Sequence, residues 1–307
     1  MEKKKVIDGL LYLIRSAIIY VVLAALAVGA SVVLRKPLLD KELELQQQTE
    51  LIQQQVISKG ELEKMLIPTE AFQLVGMVKF QQVDAAYEVF FLIMMVCNLI
   101  VFGMIISHAL FSFEQDEMSG NYLFYYSQIN TKIGYMIRKT VNVIINSIFS
   151  WSLYIGCILI GAKVIADQFS IQLTKINGII VQSWKMGIIV AVLMAAIGIF
   201  YAMMKKRRMT GTIFAQYVVI GLFMMGNLFK VTQLFAYFQR ITESDAKFME
   251  KSTDILKNLQ VICPFAILNP FSILNKIVID DAWVLYLMLT VIIITGAVML
   301  FERKEWE

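Results

Sequence analysis

The chain has 307 residues, 58% of them hydrophobic and 17% charged, with a mean hydropathy of +0.68 and a net charge of +4. A water-soluble domain is nearer half apolar and a quarter charged, so this chain lacks the polar residues to cover its own core, and its apolar surplus must face lipid. The small charge, scattered through loops, argues against a nucleic-acid partner, and Cys97, Cys157 and Cys263 form no spacing for a metal or a disulfide frame.

At the N-terminus Lys3-Lys4-Lys5 precedes an apolar stretch, as in a signal peptide. The stretch is too long for one, Arg15 interrupts it and Arg35-Lys36-Pro37 is a poor cleavage site. The segment is therefore expected to be retained, with an interfacial helix ahead of the first span. Six segments free of Asp, Glu, Lys and Arg are long enough to cross a hydrocarbon core, which takes roughly 20 helical residues. They are Ser16–Leu34, Val89–Phe113, Thr140–Ala162, Met186–Met204, Met209–Phe229 and Ala282–Phe301. In lipid each must be helical, because an unpaired backbone amide finds no water there. The predicted fold is an all-α integral membrane protein, one transmembrane domain over residues 1–307.

Between the first two spans, residues 35–88 are polar and Gln-rich, with Leu43, Leu45, Leu51, Ile52, Val56 and Leu62 near helical spacing. A helix rising from the first span, a break at Pro68 and a return fit this pattern, either as a solvated spacer or as a small outer domain. Residues 114–139 join spans two and three. They are acidic at the start (Glu114, Asp116, Glu117), apolar and aromatic in the middle (Tyr122 to Tyr126) and basic at the end (Arg138, Lys139), with Gly120 as the first break. The third span is rich in Asn and Ser, which directs it toward protein or a cavity. The run Lys205-Lys206-Arg207-Arg208 between spans four and five reads as an orienting signal. In residues 238–281, Pro264 and Pro270 lie in an apolar run that they would break as a spanning helix, so a re-entrant pair of short helices is expected. Placing the N-terminus inside puts Lys3, Lys4, Lys5, Arg15, Lys132, Arg138, Lys139, the 205–208 run, Arg303 and Lys304 on one side, at higher density than on the other. Both termini are then cytoplasmic.

Catalytic parts are missing from this sequence. It contains no Gly-rich loop ending in Gly-Lys-Ser/Thr and no GxSxG or HExxH motif, and its one histidine is His108. Enzymatic chemistry on this chain is not expected. Asn98, His108, Asn142, Asn146 and Asn227 are polar side chains within spans, which face bundle interiors and line either a core or a translocation path.

The 114–139 segment resembles the coupling segment of ABC-2-type transporter permeases, the membrane subunits of ABC exporters. In that family an acidic residue follows the second span, then a glycine-led amphipathic helix, a turn and a basic residue. Glu117, Gly120, Leu123, Ile129 and Lys139 fit those places, and Gln128 stands where the family usually has proline. The run around Pro264 and Pro270 is similar to the family's outer re-entrant helices, and Phe301-Glu302-Arg303-Lys304 to its basic tail. The resemblance implies a plasma-membrane permease that pairs with a second permease chain, like or unlike, and with two ATPase subunits that carry ATP and Mg. Glu114, Glu117, Gly120, Tyr122, Leu123, Phe124 and Ile129 would form the ATPase-coupling surface, an amphipathic face docked in a groove on the partner. The alternatives are an ion or small-solute permease, a non-transporting scaffold or sensor, and an interfacial anchor at 114–139. Spans without carboxylates and rich in Met, Phe and Ile favour an amphiphilic cargo such as a hydrophobic peptide, an antimicrobial or a lipid-like compound.

Overall fold

The computed structural model describes residues 2–53, 84–118, 132–204, 213–224, 263–268 and 282–303. Its helices are α1 (Glu2–Gln53), α2 (Ala85–Met118), α3 (Lys132–Phe169), α4 (Thr174–Met204), the single turn α5 (Pro264–Ile267) and α6 (Ala282–Arg303). Among the described residues, five stretches are long and apolar enough to cross a membrane: Tyr12–Pro37, Ala86–Gln115, Lys132–Phe169, Ile176–Met204 and Trp283–Arg303. The chain is thus a multi-pass membrane protein by the length and composition of its helices. Of the expected span 209–229, the described part is a shorter apolar helix, Ile213–Met224.

The helices outrun the charge-free segments. α3 begins at Lys132 rather than Thr140 and α4 at Thr174 rather than Met186, taking in Arg138, Lys139, Lys175 and Lys185. Long basic side chains carry their charge to the interface while their stems stay in apolar surroundings, so a helix need not stop where charge begins. Likewise Glu114 to Met118 continue α2 instead of opening a loop. The helical residues expected ahead of the first span are continuous with it: α1 runs unbroken from Glu2 to Gln53, its apolar stretch beginning at Tyr12, and Pro37 inside it does not end it. The break expected at Pro68 lies outside the described residues.

Local chemistry sets the ends. Asp84 caps α2, its carbonyl accepting from the Tyr87 and Glu88 amides (2.9 and 3.2 Å) and its carboxylate from the Ala86 amide (2.9 Å). α3 ends at Phe169 with Ser170 in the left-handed region (φ 54°) and the Ile171 amide bonded back to the Ala166 carbonyl (3.1 Å). This Schellman stop turns the chain straight into α4. Residues 163–185, between the third and fourth segments predicted to span, are therefore largely helical and form the tip of a helical hairpin.

α2 and α4 form the centre. They pack on each other, α1 lies against α2 and α3, α3 also against α4, and α6 against α4. Ile106 and Ala109 of α2 press on Gly198 of α4, where a Cβ would sit 2.7 Å from the Ile106 oxygen. α1 and α6 are peripheral and turn apolar faces outward, through Ile18, Val22, Leu26 and Val33 on one and Met288, Val291 and Ile292 on the other. In water such faces would be a liability; in lipid they are at home.

The bundle has two distinguishable ends. At one, Arg35 of α1 meets Asp84 at the start of α2 and Phe169 at the end of α3. At the other, Lys139 of α3 lies over the ring of Phe113 of α2, and Tyr135 of α3 stacks with Phe301 of α6.

Candidate functional site

At the first end the Arg35 guanidinium donates to both carboxylate oxygens of Asp84 (3.1 and 3.0 Å) and lies 4.2 Å from the Phe169 ring centroid. A two-point contact of this kind fixes orientation as well as charge. Partial burial pushes the Asp84 carboxyl up, but the Arg35 hydrogen bonds, the Ala86 amide and the Arg35 charge together hold it below the usual carboxylate range. One turn on, the Tyr87 hydroxyl donates to the Ala162 carbonyl (2.9 Å), tying α2 to α3. Glu88 is also buried here, within the second apolar stretch. The expectation that the spans carry no carboxylate is corrected at this point: an acidic residue in the first turn of a helix is compatible with the positive end of its dipole, so the span starts before it.

Further in, α1 contributes Tyr12, Ser16 and Tyr20, spaced by four residues and so on one face. The hydroxyls of Tyr12 and Tyr20 gather with those of Ser16 and Ser150, and Tyr20 and Ser150 are hydrogen-bonded. Tyr12 stacks on His108 of α2, centroids 3.7 Å apart and 12° between planes. Tyr20 meets Tyr154 edge-on at 5.7 Å, and the Tyr154 hydroxyl donates to the Met94 carbonyl (3.3 Å). A polar seam thus follows the junction of α1, α2 and α3 from His108 to Met94.

Beside it lies an aromatic layer. Trp151 of α3 stacks on Phe102 of α2 (4.9 Å, 16°), and its indole N–H donates to the Trp184 carbonyl of α4 (3.1 Å). Gly187 permits this approach, since a Cβ there would run into the indole. The short segment Cys263–Leu268 packs into the same layer: Cys263, Pro264, Phe265 and Leu268 are buried, and the Cys263 thiol donates to the Leu222 carbonyl (2.8 Å). Phe102 and Trp151 lie near the middle of their apolar stretches. A segment much too short to span is therefore buried deep in the bundle, where irregular backbone is tolerated because protein surrounds it.

The residues expected from sequence divide as follows. Asn98 is buried, His108 stacks inside the bundle, Asn146 is half-buried and Asn142 is exposed on the outer face of α3. The structure thus brings Asn98 and His108 into the interior and leaves Asn142 out. Glu114 is half-buried near the end of α2, and Glu117 lies on its last turn. Lys139, beyond its contact with Phe113, bonds the Tyr135 hydroxyl (3.3 Å). Pro264 is buried in α5. Gly120, Tyr122, Leu123, Phe124, Ile129, Asn227 and Pro270 lie outside the described residues. Sequence reasoning missed Tyr12, Tyr20, Tyr154 and the Arg35–Asp84 pair, whereas Ser150 is one of the serines that directed the third span toward protein or a cavity. For the first two, the four-residue spacing through Ser16 was the available signal.

Searches against protein-family models, curated proteins and solved structures return no match to this chain.

Proposed function

We propose that the chain is the membrane subunit of an ATP-driven exporter of the ABC-2 type, moving an amphiphilic substrate outward with energy from a separate ATPase. The observation that carries the reading is the character of one end of the bundle. Arg15, Lys132, Arg138, Lys139 and Arg303 lie on the helix segments toward it, whereas the segments toward the opposite end hold Arg35, which is paired with Asp84, together with Lys36 and Lys163. The positive-inside rule supports a cytoplasmic position for the first end, as does the basic density of the flanking sequence. The connection between α2 and α3 emerges at that end, flanked by acidic residues on the last turns of α2 and basic ones on the first turns of α3. A chain without a motor of its own needs a grip of this kind at the cytoplasmic face. Glu117, Gly120 and Leu123 would supply the contact, with two ATPase subunits and a second permease chain completing the complex. The polar seam and aromatic layer within an otherwise lipid-compatible bundle suit a cargo with both kinds of surface.

The test is ATP hydrolysis by the complex reconstituted in proteoliposomes, measured against a panel of amphiphilic peptides and against sodium or potassium. Stimulation by one or more amphiphiles supports the reading. Stimulation or flux by the ions alone would replace it with an ion permease.

A further inference from the structure

The aromatic layer contains a slot filled by the chain itself. Phe265 is 6% exposed and meets Phe102 edge-on at 5.6 Å and 85°, and Phe223 edge-on at 5.9 Å and 81°. Phe102 in turn lies flat on Trp151, so the Phe265 ring sits against two rings from two separate helices, one of them backed by the indole of a third. The Phe265 ring belongs to a single turn of helix, not to a spanning element. Edge-to-face contact is one of the two arrangements that aromatic rings prefer, and it is open to a guest ring as to a residue of the chain.

A second observation concerns Asn98. It precedes Phe102 by one turn, about 6 Å along the axis and on the same face. Its side chain is 2% exposed, and its Oδ1 has no hydrogen-bond partner among the described residues. A buried amide oxygen in apolar surroundings calls for a donor. Ser183 of α4, fully buried, also has a hydroxyl without a partner among the described residues.

We infer that Phe102 and Phe223, with Trp151 stacked on Phe102, form a ligand site which Phe265 occupies in this structure, and that the site accepts a flat apolar group bearing an uncharged N–H or O–H donor for Asn98. Binding displaces the Phe265 ring, so the chain competes with its own ligand. This deepens the exporter reading by giving the chemistry its substrate would present, but the measurement involves no ATPase. Loss of saturable binding in a complex that still responds to amphiphiles would therefore remove the site and leave the exporter. Binding without any ATPase response would do the reverse.

The experiment uses the full chain in lipid nanodiscs with Trp151 as the sole tryptophan, the other three replaced by Phe. The probe is N-phenyl-1-naphthylamine, flat and apolar with one N–H, followed by energy transfer from Trp151. Its counterpart 1-phenoxynaphthalene lacks the donor. The expected result is saturable transfer that Phe265→Ala strengthens by about tenfold or more. Asn98→Leu should weaken the amine about tenfold, the worth of one hydrogen bond, and leave the ether unchanged. Phe265→Leu, which keeps a branched side chain in place, should fall between Phe265→Ala and the parent, and it serves if the alanine variant fails to fold. Transfer that rises linearly with probe in every variant, as for simple partition into lipid, would overturn the inference. So would Phe265 variants that bind like the parent, or an Asn98→Leu variant that weakens both probes equally.

Discussion

The contact between α2 and α4 gives the sharpest stability prediction. A Cβ at Gly198 would lie 2.7 Å from the Ile106 carbonyl oxygen and 2.9 Å from the Ala109 Cβ. Ordinary contact begins at 3.4 Å, so the helices must part by roughly 0.5–0.7 Å for Gly198→Ala. The obstructing atoms are backbone and a Cβ, with no flexible side chain to swing away. Overpacking of this kind costs about 1–3 kcal/mol, partly offset by up to ~1 kcal/mol from alanine's better helix propensity. The net expectation is a loss of about 1–2 kcal/mol. Gly103→Ala, on α2 itself, is the control, because nothing lies within 4 Å of its Cβ; there only the propensity gain should remain. Thermal unfolding of the detergent-solubilised protein, followed by tryptophan fluorescence or size-exclusion survival, measures both. Equal midpoints for the two variants would refute the close packing of Gly198 on Ile106.

Ser170→Gly should stabilise the α3–α4 turn by about 1 kcal/mol, since glycine adopts the left-handed conformation without the side-chain penalty; a lower unfolding midpoint would contradict the Schellman stop. Arg35→Ala removes a two-point ion pair from partly buried Asp84 and should cost about 1–3 kcal/mol. The Asp84 carboxyl is held below its usual range when folded, so its contribution is present above about pH 4 and lost as pH falls through the lowered value; the parent should lose stability in that acid window and Arg35→Ala should lose less. Single cysteines at Gln54 and Lys206, in a background lacking Cys97, Cys157 and Cys263, should react with an impermeant reagent from opposite sides, Gln54 alone in intact cells. Labelling of both in intact cells would contradict this topology.

Much of the architecture is legible in hydropathy, because a bilayer demands long apolar helices and little else has that composition. Helix limits are less so. Lys132, Arg138 and Lys139 look like the end of a loop, yet a helix tolerates them wherever their charges reach the interface. The reading of Pro264 as a mark of broken structure agrees with a four-residue helical turn, but no spacing rule places Phe265 between Phe102 and Phe223. Composition identifies Asn98 and Asn142 as polar residues in apolar runs without telling which faces the interior. That choice depends on which faces of α2 and α3 their neighbours cover. The seam from Tyr12 to Tyr154 is built largely from aromatic residues that hydropathy counts as ordinary membrane filling. Only the alignment of Tyr12, Ser16 and Tyr20 on one face hinted at it.

The central claim is that a separate ATPase grips the end of the bundle where α2 and α3 connect. The most direct measurement is purification of the full chain from its native membrane in mild detergent, with ATP hydrolysis assayed in the eluate. The parent should bring down a hydrolysing subunit, and Glu117→Lys and Gly120→Trp should insert at parental levels but lose it. A parent that elutes folded and without hydrolytic activity, or variants that retain the parental activity, would contradict the account.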